Sequence, residues 1–156
     1  MYVEAFTQAK DPAAPSRNED RLLIYGDTLF GVVDGVTDKT GSSYGGRTGG
    51  RLAGELIERS LRELVDEDLH MSAPASEILA RIDGAFQRAY RELGIIEAVR
   101  AQPLRRFGAQ LCLLLSDGSS FRLLLVGDCG ARLGGEELLL AENRGDDVLG
   151  LVRSGV

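Results

Sequence analysis

Between residues 21 and 36 the chain alternates apolar runs with short polar breaks: Leu22-Leu23-Ile24-Tyr25, then Gly26-Asp27-Thr28, then Leu29-Phe30-Gly31-Val32-Val33. Two short apolar runs joined by a three-residue break containing glycine predict a β-hairpin. Residues 2–8 predict a first strand ahead of it, set apart by a Pro/Ala loop from Lys10 to Ser16. Behind it, Thr37 to Gly46 is rich in Gly, Ser and Thr and reads as an exposed, mobile loop.

The period then changes. Leu52, Leu56, Ser60 or Leu61, and Leu64, widened by Ile57 and Val65, recur at helical spacing, with charges such as Glu55, Glu58 and Arg62 on the other face. A second stripe follows in Ile78, Leu79, Ile82, Phe86, Ala89 and Leu93, with Gly94 as its terminator. Both stripes read as faces that pack on the protein's own sheet. Beyond a loop around Pro103, Gln110 to Leu115 and Phe121 to Val126 flank Ser116-Asp117-Gly118-Ser119-Ser120, a second hairpin. These strands have almost no polar alternation, which predicts cover on both faces. Arg132-Leu133 and Glu137 to Ala141 predict a further short hairpin about Gly134-Gly135. Strands, then a helix pair, then strands make an α+β pattern of segregated elements, without internal repeats, in one domain over residues 1–156.

The first hairpin sets an electrostatic problem. Pairing Tyr25 with Leu29 puts Ile24 opposite Phe30, Leu23 opposite Gly31, Leu22 opposite Val32 and Arg21 opposite Val33. One step further, Asp20 faces Asp34. Directly opposed side chains have Cβ atoms roughly 4.5–5.5 Å apart, and like charges there are destabilising. Two ionised carboxylates at that spacing need a cation, a shared proton or ample water. A hard divalent ion such as Mg²⁺ or Mn²⁺ suits oxygen donors. Gly35 lets a backbone carbonyl approach such an ion, and Glu19 adds a third carboxylate. Solvated, frayed strand ends are the alternative reading.

Composition narrows the partners. The net charge is −6, which argues against a nucleic-acid backbone as partner. No apolar segment approaches the ~20 residues that span a bilayer, which argues against a membrane. The N-terminus lacks the basic start and apolar core of a secretory signal, so the expected location is cytoplasmic. The basic residues are 16 Arg against 2 Lys, a bias that fits a GC-rich genome. Cys112 and Cys129 lack metal-ligand spacing and read as buried free thiols, with one disulfide left open. The single histidine, His70, follows a helix and reads as a solvated surface residue. Gly45-Gly46-Arg47-Thr48-Gly49-Gly50 lacks the Gly-Lys-Ser/Thr ending of a phosphate-binding loop and reads as a lead into the first helix, whose N-terminus favours an anion.

Three segments in order carry a resemblance: Asn18-Glu19-Asp20; Gly31-Val32-Val33-Asp34-Gly35; and Leu125-Val126-Gly127-Asp128-Cys129-Gly130-Ala131-Arg132-Leu133. Together, and with the helix pair between the second and third, they resemble the signatures of the type-2C (PP2C-like) metal-dependent protein phosphatases over about residues 3–140. The resemblance implies an α/β/β/α sandwich of antiparallel sheets flanked by helices, with a dinuclear Mn²⁺ or Mg²⁺ site. It implies a metal-activated water attacking phosphoserine or phosphothreonine of a phosphorylated protein. Asp34 would bridge the two ions, the Gly35 carbonyl would bind one, and Asp20 with Glu19 would hold coordinated waters. Asp128 matches the aspartate of a third, weaker ion; as a bare residue it reads equally as a turn former.

Departures from the pattern are specific. The family's phosphate-gripping arginine position is occupied by Pro15, and Arg17, three residues before Asp20, is the candidate substitute. Gly108-Ala109-Gln110 stands where Gly-Thr-Thr is common, and Val36-Thr37-Asp38-Lys39-Thr40 replaces a Gly-Gly-His-like continuation. The family's last two metal aspartates, in Asp-Gly and Asp-Asn contexts, have no match after Leu140, where only Asp146 and Asp147 occur. The expected sandwich is therefore incomplete, and the chain reads as the N-terminal portion of a divergent phosphatase or as a naturally short one. A catalytically incompetent binding or regulatory module of the same fold is the alternative, and an exposed edge predicts a homodimer.

Overall fold

The computed structural model describes residues 2–36, 40–133 and 136–139. The first hairpin is formed by β1 (Arg21–Tyr25) and β2 (Leu29–Gly35), and the second by β3 (Ala109–Ser116) and β4 (Phe121–Val126). Together they make one antiparallel sheet in the order β1-β2-β3-β4. Between the hairpins run α1 (Gly49–Asp66), α2 (Ala75–Glu92) and the short α3 (Ile96–Ala101). β5 (Gly130–Leu133) and β6 (Glu136–Leu139) form a separate two-stranded ladder. The class is α+β, an antiparallel sheet with helices against it. No helix among the described residues is long and apolar enough to cross a membrane.

The β1–β2 register runs from Tyr25↔Leu29 to Arg21↔Val33, as the three-residue break predicts. Alternation then sorts each strand. Leu23, Leu29, Val33, Leu111, Leu113 and Leu115 point to one face and are buried. Against them lie Leu52, Leu56, Leu61 and Leu64 of α1, which in turn packs on Ile78, Ile82 and Phe86 of α2. Leu113 and Leu115 are fully enclosed, and burying each such side chain contributes about 1.5–3 kcal/mol. Thr48 caps α1 by accepting the Arg51 N–H at 3.3 Å. Gly94 ends α2 as expected: its N–H donates to Arg91 O, while Ile95 N–H reaches back to Tyr90 O, the Schellman pattern.

Four expectations are corrected. Residues 2–8 form no strand: no sheet edge pairs with them, and Tyr2 and Phe6 are largely exposed. The Thr37–Gly46 segment is not simply an exposed loop, because Tyr44 is buried edge-to-face on Phe107, 5.2 Å between centroids; residues 37–39 lie outside the described residues. His70 is 7% exposed rather than solvated, since the turn after α1 folds under β4, where Arg122 Nη1 donates to the carbonyls of His70, Met71 and Ala73. Among the described residues the helices cover one sheet face only. On the other, Leu22, Ile24, Phe30, Val32, Leu114 and Phe121 line an open cavity of about 390 Å³. The third hairpin predicted about Gly134-Gly135 is the β5–β6 ladder.

Candidate functional site

Asp34 is the next-to-last residue of β2, on the open face, and its cross-strand partner on β3 is Gln110. Beyond the last β1–β2 pair, Arg21↔Val33, the chain brings the Asp20 carboxyl within electrostatic reach of Asp34. Although it reaches solvent, the Asp34 carboxyl is held above the usual carboxylate range. Partial burial is the largest cause, followed by the negative charges of Asp20, Asp128 and Glu19. Like charges this close call for a cation, a shared proton or water. Asp20 and Asp34 line an open cavity of about 430 Å³ with Phe6, Thr7, Gln8 and Leu22.

Local bonds set Asp20. Its N–H donates to Asn18 Oδ1 at 3.1 Å, an Asx turn, and Asn18 Nδ2 donates to Thr7 Oγ1 at 2.9 Å. Thr7 Oγ1 in turn lies 3.5 Å from Asp20 Oδ2. The neighbouring residue, Arg21, points to the opposite face, where its guanidinium meets Glu55 and Glu58 at 2.9 Å each and ties β1 to α1. Burial works against the Glu55 charge. Hydrogen bonds from Arg47 and Arg51 and the charges of Arg47 and Arg21 nevertheless hold its carboxyl below the usual range.

Gly35 and Glu19 have a structural part that spacing does not show. Gly35 is buried, and a Cβ there would lie 2.7 Å from the Gly50 carbonyl oxygen and 2.8 Å from that of Glu19. A Cβ on Gly50 would lie 2.9 Å from Glu19 Oε1, so the Glu19 carboxylate lies against the first turn of α1, where unsatisfied N–H groups favour negative charge.

Asp128 follows β4 in an exposed turn and donates its N–H to Gln110 Oε1 at 2.7 Å. Arg17 closes a one-turn 3-10 helix, Pro15–Arg17, with an exposed side chain. Cys112 and Cys129 are free thiols, half-buried. Burial, then the nearby Cys112, Asp34, Asp128 and Asp20, push Cys129 up to about 11, which keeps it protonated and a poor nucleophile at neutral pH. Asp146 and Asp147 lie outside the described residues.

The structure therefore gathers Asp20, Asp128 and Glu19 within electrostatic reach of Asp34, while Arg17 stands in solvent. Sequence reasoning missed Gln110, Thr7 and Gly50. Gln110 had a signal, as a polar residue opening an apolar strand; Thr7, on an irregular segment, had none. The donor chemistry suits a hard cation: carboxylate oxygens short of positive charge. Among the described residues, however, no three acidic, histidine or cysteine side chains converge into a ready-made metal site, so water would supply much of the coordination.

No protein-family profile matches the chain, and no curated protein matches it. Solved structures similar to it include the serine/threonine phosphatase PstP/Ppp of Mycobacterium tuberculosis, at 25% identity and a TM-score of 0.43 over 81% of this chain and 48% of that one. The catalytic domain of PstP in complex with two manganese ions matches at 22% identity and a TM-score of 0.44, over 81% and 49%. PppA, a regulatory component of T6SS in Pseudomonas aeruginosa, matches at 18% identity and a TM-score of 0.45, over 86% and 53%. The chain spans about half the length of these solved structures.

Proposed function

We propose that this chain carries the N-terminal part of a metal-dependent phosphatase site that hydrolyses phosphoserine or phosphothreonine in proteins. The observation that supports the reading is the Asp20–Asp34 carboxyl pair, which lines one open cavity at the end of the first hairpin with Asp128 and Glu19 within electrostatic reach. The three segments that resemble the type-2C signatures supply these same four acids. Mn²⁺ or Mg²⁺ would offset the crowded negative charge, held by Asp34 with the Gly35 carbonyl, while Asp20 and Glu19 would orient coordinated waters and Asp128 would serve a third ion. When bound, such ions supply a water acidic enough to attack phosphorus at neutral pH. Asp20 and Asp34 place that chemistry beside the open cavity, and Arg17 is the candidate for gripping the phosphate.

The alternative, a binding module without turnover, is favoured by one observation: no three ligating side chains converge among the described residues. The two readings part on a simple measurement. Calorimetric titration with Mn²⁺, and Mn²⁺-dependent hydrolysis of para-nitrophenyl phosphate and a phosphothreonine peptide, are made on the 156-residue chain and on any longer chain containing it. Binding with turnover supports the enzyme, and binding without turnover in every form supports the module. Absence of Mn²⁺ binding in all forms defeats the metal reading itself.

A further inference from the structure

One contact at the site joins the Gly108-Ala109-Gln110 segment to the turn of the third motif. Gln110 and Asp34 are direct partners on the two central strands, and both stand on the face turned away from the helices. The β3–β4 ladder ends one residue later, at Leu111↔Val126. Where the next pair would set Gly127 opposite Gln110, the chain instead leaves the sheet. Gly127 has φ of +85°, and a Cβ there would lie 2.9 Å from Gln110 Cγ and Oε1. The Asp128 N–H then donates to Gln110 Oε1 at 2.7 Å. A side chain from β3 has taken over the role of the missing ladder bond.

We propose that Gln110 is a positioning residue that fixes the Asp128 turn above Asp34 and thereby sets the affinity of the cation site; the second half of this rests on the metal reading given above. The residue type follows from the contact. The acceptor must reach one full side chain beyond the strand, which the shorter Asn does not. It must also accept without adding charge beside a carboxyl already crowded by three others. A neutral amide of this length meets both conditions, and its oxygen faces the turn because only an acceptor answers an N–H. Removing the bond frees the turn to swing, so the Asp128 carboxylate no longer has a fixed place relative to Asp34.

The test uses ¹⁵N-labelled protein free of metal, followed by calorimetric titration with Mn²⁺. Gln110→Leu keeps the volume and removes the acceptor, while Gln110→Glu keeps both the length and the acceptor. The expected result for Gln110→Leu is faster hydrogen exchange at the Asp128 amide and Mn²⁺ binding weakened by ~10-fold or more, the usual size of losing a group that orients a metal ligand. Gln110→Glu keeps the acceptor but adds a charge beside Asp34, so it restores slow exchange only once Mn²⁺ is bound, and it binds Mn²⁺ at least as tightly as the wild type. If Gln110→Leu does not fold, Gln110→Asn withdraws the acceptor at smaller cost and is read in the same way. An Asp128 amide equally protected without the acceptor overturns the proposal, as does unchanged Mn²⁺ affinity once protection is lost. A wild type that binds no Mn²⁺ overturns the cation reading and the affinity half with it, and the exchange data then decide the positioning half alone.

Discussion

Gly35 and Gly50 meet backbone to backbone: a Cβ on Gly35 would stand 2.7 Å from the Gly50 carbonyl oxygen, and one on Gly50 would stand 2.9 Å from the Gly35 carbonyl carbon. This contact seats the start of α1 on the end of β2, beside Asp34. It also leaves room over Gly50 for the Glu19 carboxylate.

Gly50→Ala tests the contact by its sign. Helix propensity alone favours alanine by up to ~1 kcal/mol, whereas forcing a methyl into a packed backbone contact costs ~1–3 kcal/mol. The expected net result is destabilisation in urea denaturation. Gly84→Ala is the control, since the nearest atom to a Cβ there is Arg88 Nη1 at 3.6 Å, and this variant should gain ~0.5–1 kcal/mol. Gly50→Ala more stable than wild type would show that the two backbones do not touch.

Asp34 makes stability depend on pH in a fixed direction. Its folded pKa is raised, so its contribution is fully present below the unfolded value and is lost as pH rises through the folded one. Metal-free protein should therefore lose stability across the range just above ordinary carboxylate titration. Asp34→Asn should flatten that loss, be at least as stable as wild type at pH 7, and bind Mn²⁺ more weakly. Denaturation curves at several pH values, without and with Mn²⁺, read both effects. A variant less stable than wild type at pH 7 without metal would contradict the crowding of the carboxyls.

Tyr90 fastens the segment that leads into β3. Its hydroxyl accepts the Phe107 N–H at 2.8 Å, and its ring packs on Phe107 with centroids 4.7 Å apart. The next residue, Gly108, accepts the Val36 N–H at 2.9 Å just beyond β2. Tyr90→Phe leaves a buried N–H without its acceptor and should cost ~1–3 kcal/mol. Burial pushes the Tyr90 phenol up to about 12. Its contribution is thus fully present below the unfolded value near ~10 and lost as pH rises through about 12. Alkaline unfolding should accordingly be less steep in the variant, and identical alkaline curves would count against the buried phenol.

His70 is a buried polar side chain. Among the described residues neither ring nitrogen has a hydrogen-bond partner, and Nδ1 lies 3.9 Å from Asp68 Oδ1, beyond hydrogen-bond reach. An apolar residue of similar shape should be tolerated or favoured there, so His70→Phe is expected to change stability by less than ~1 kcal/mol or to raise it. A large loss in thermal unfolding would mean that the imidazole makes a bond that matters.

Much of the fold was legible because its signals are local. The break Gly26-Asp27-Thr28 specified the loop length, loop length specified the register, and the register put Asp20 beside Asp34. Periodicity gave both long helices and the β3–β4 hairpin, for the same reason that alternation and the 3.6-residue repeat each expose one face. Residues 2–8 misled because apolar content alone makes no strand unless its backbone pairs with a sheet edge, and here it pairs with none. His70 misled because a turn that looks exposed in sequence is buried when a distant guanidinium, that of Arg122, gathers its carbonyls.

By itself, then, the sequence determined what neighbours along the chain can settle: the elements, the hairpin register and the meeting of two acids at its open end. Only the tertiary structure decided what residues far apart in the chain do to each other. It laid Gly50 against Gly35, set the Glu19 carboxylate at the start of α1, and put the Asp128 turn in the grip of Gln110. Side-chain spacing is periodic within a strand or helix and can be read ahead of folding, whereas the distance between two elements is set only when their faces close on a shared core.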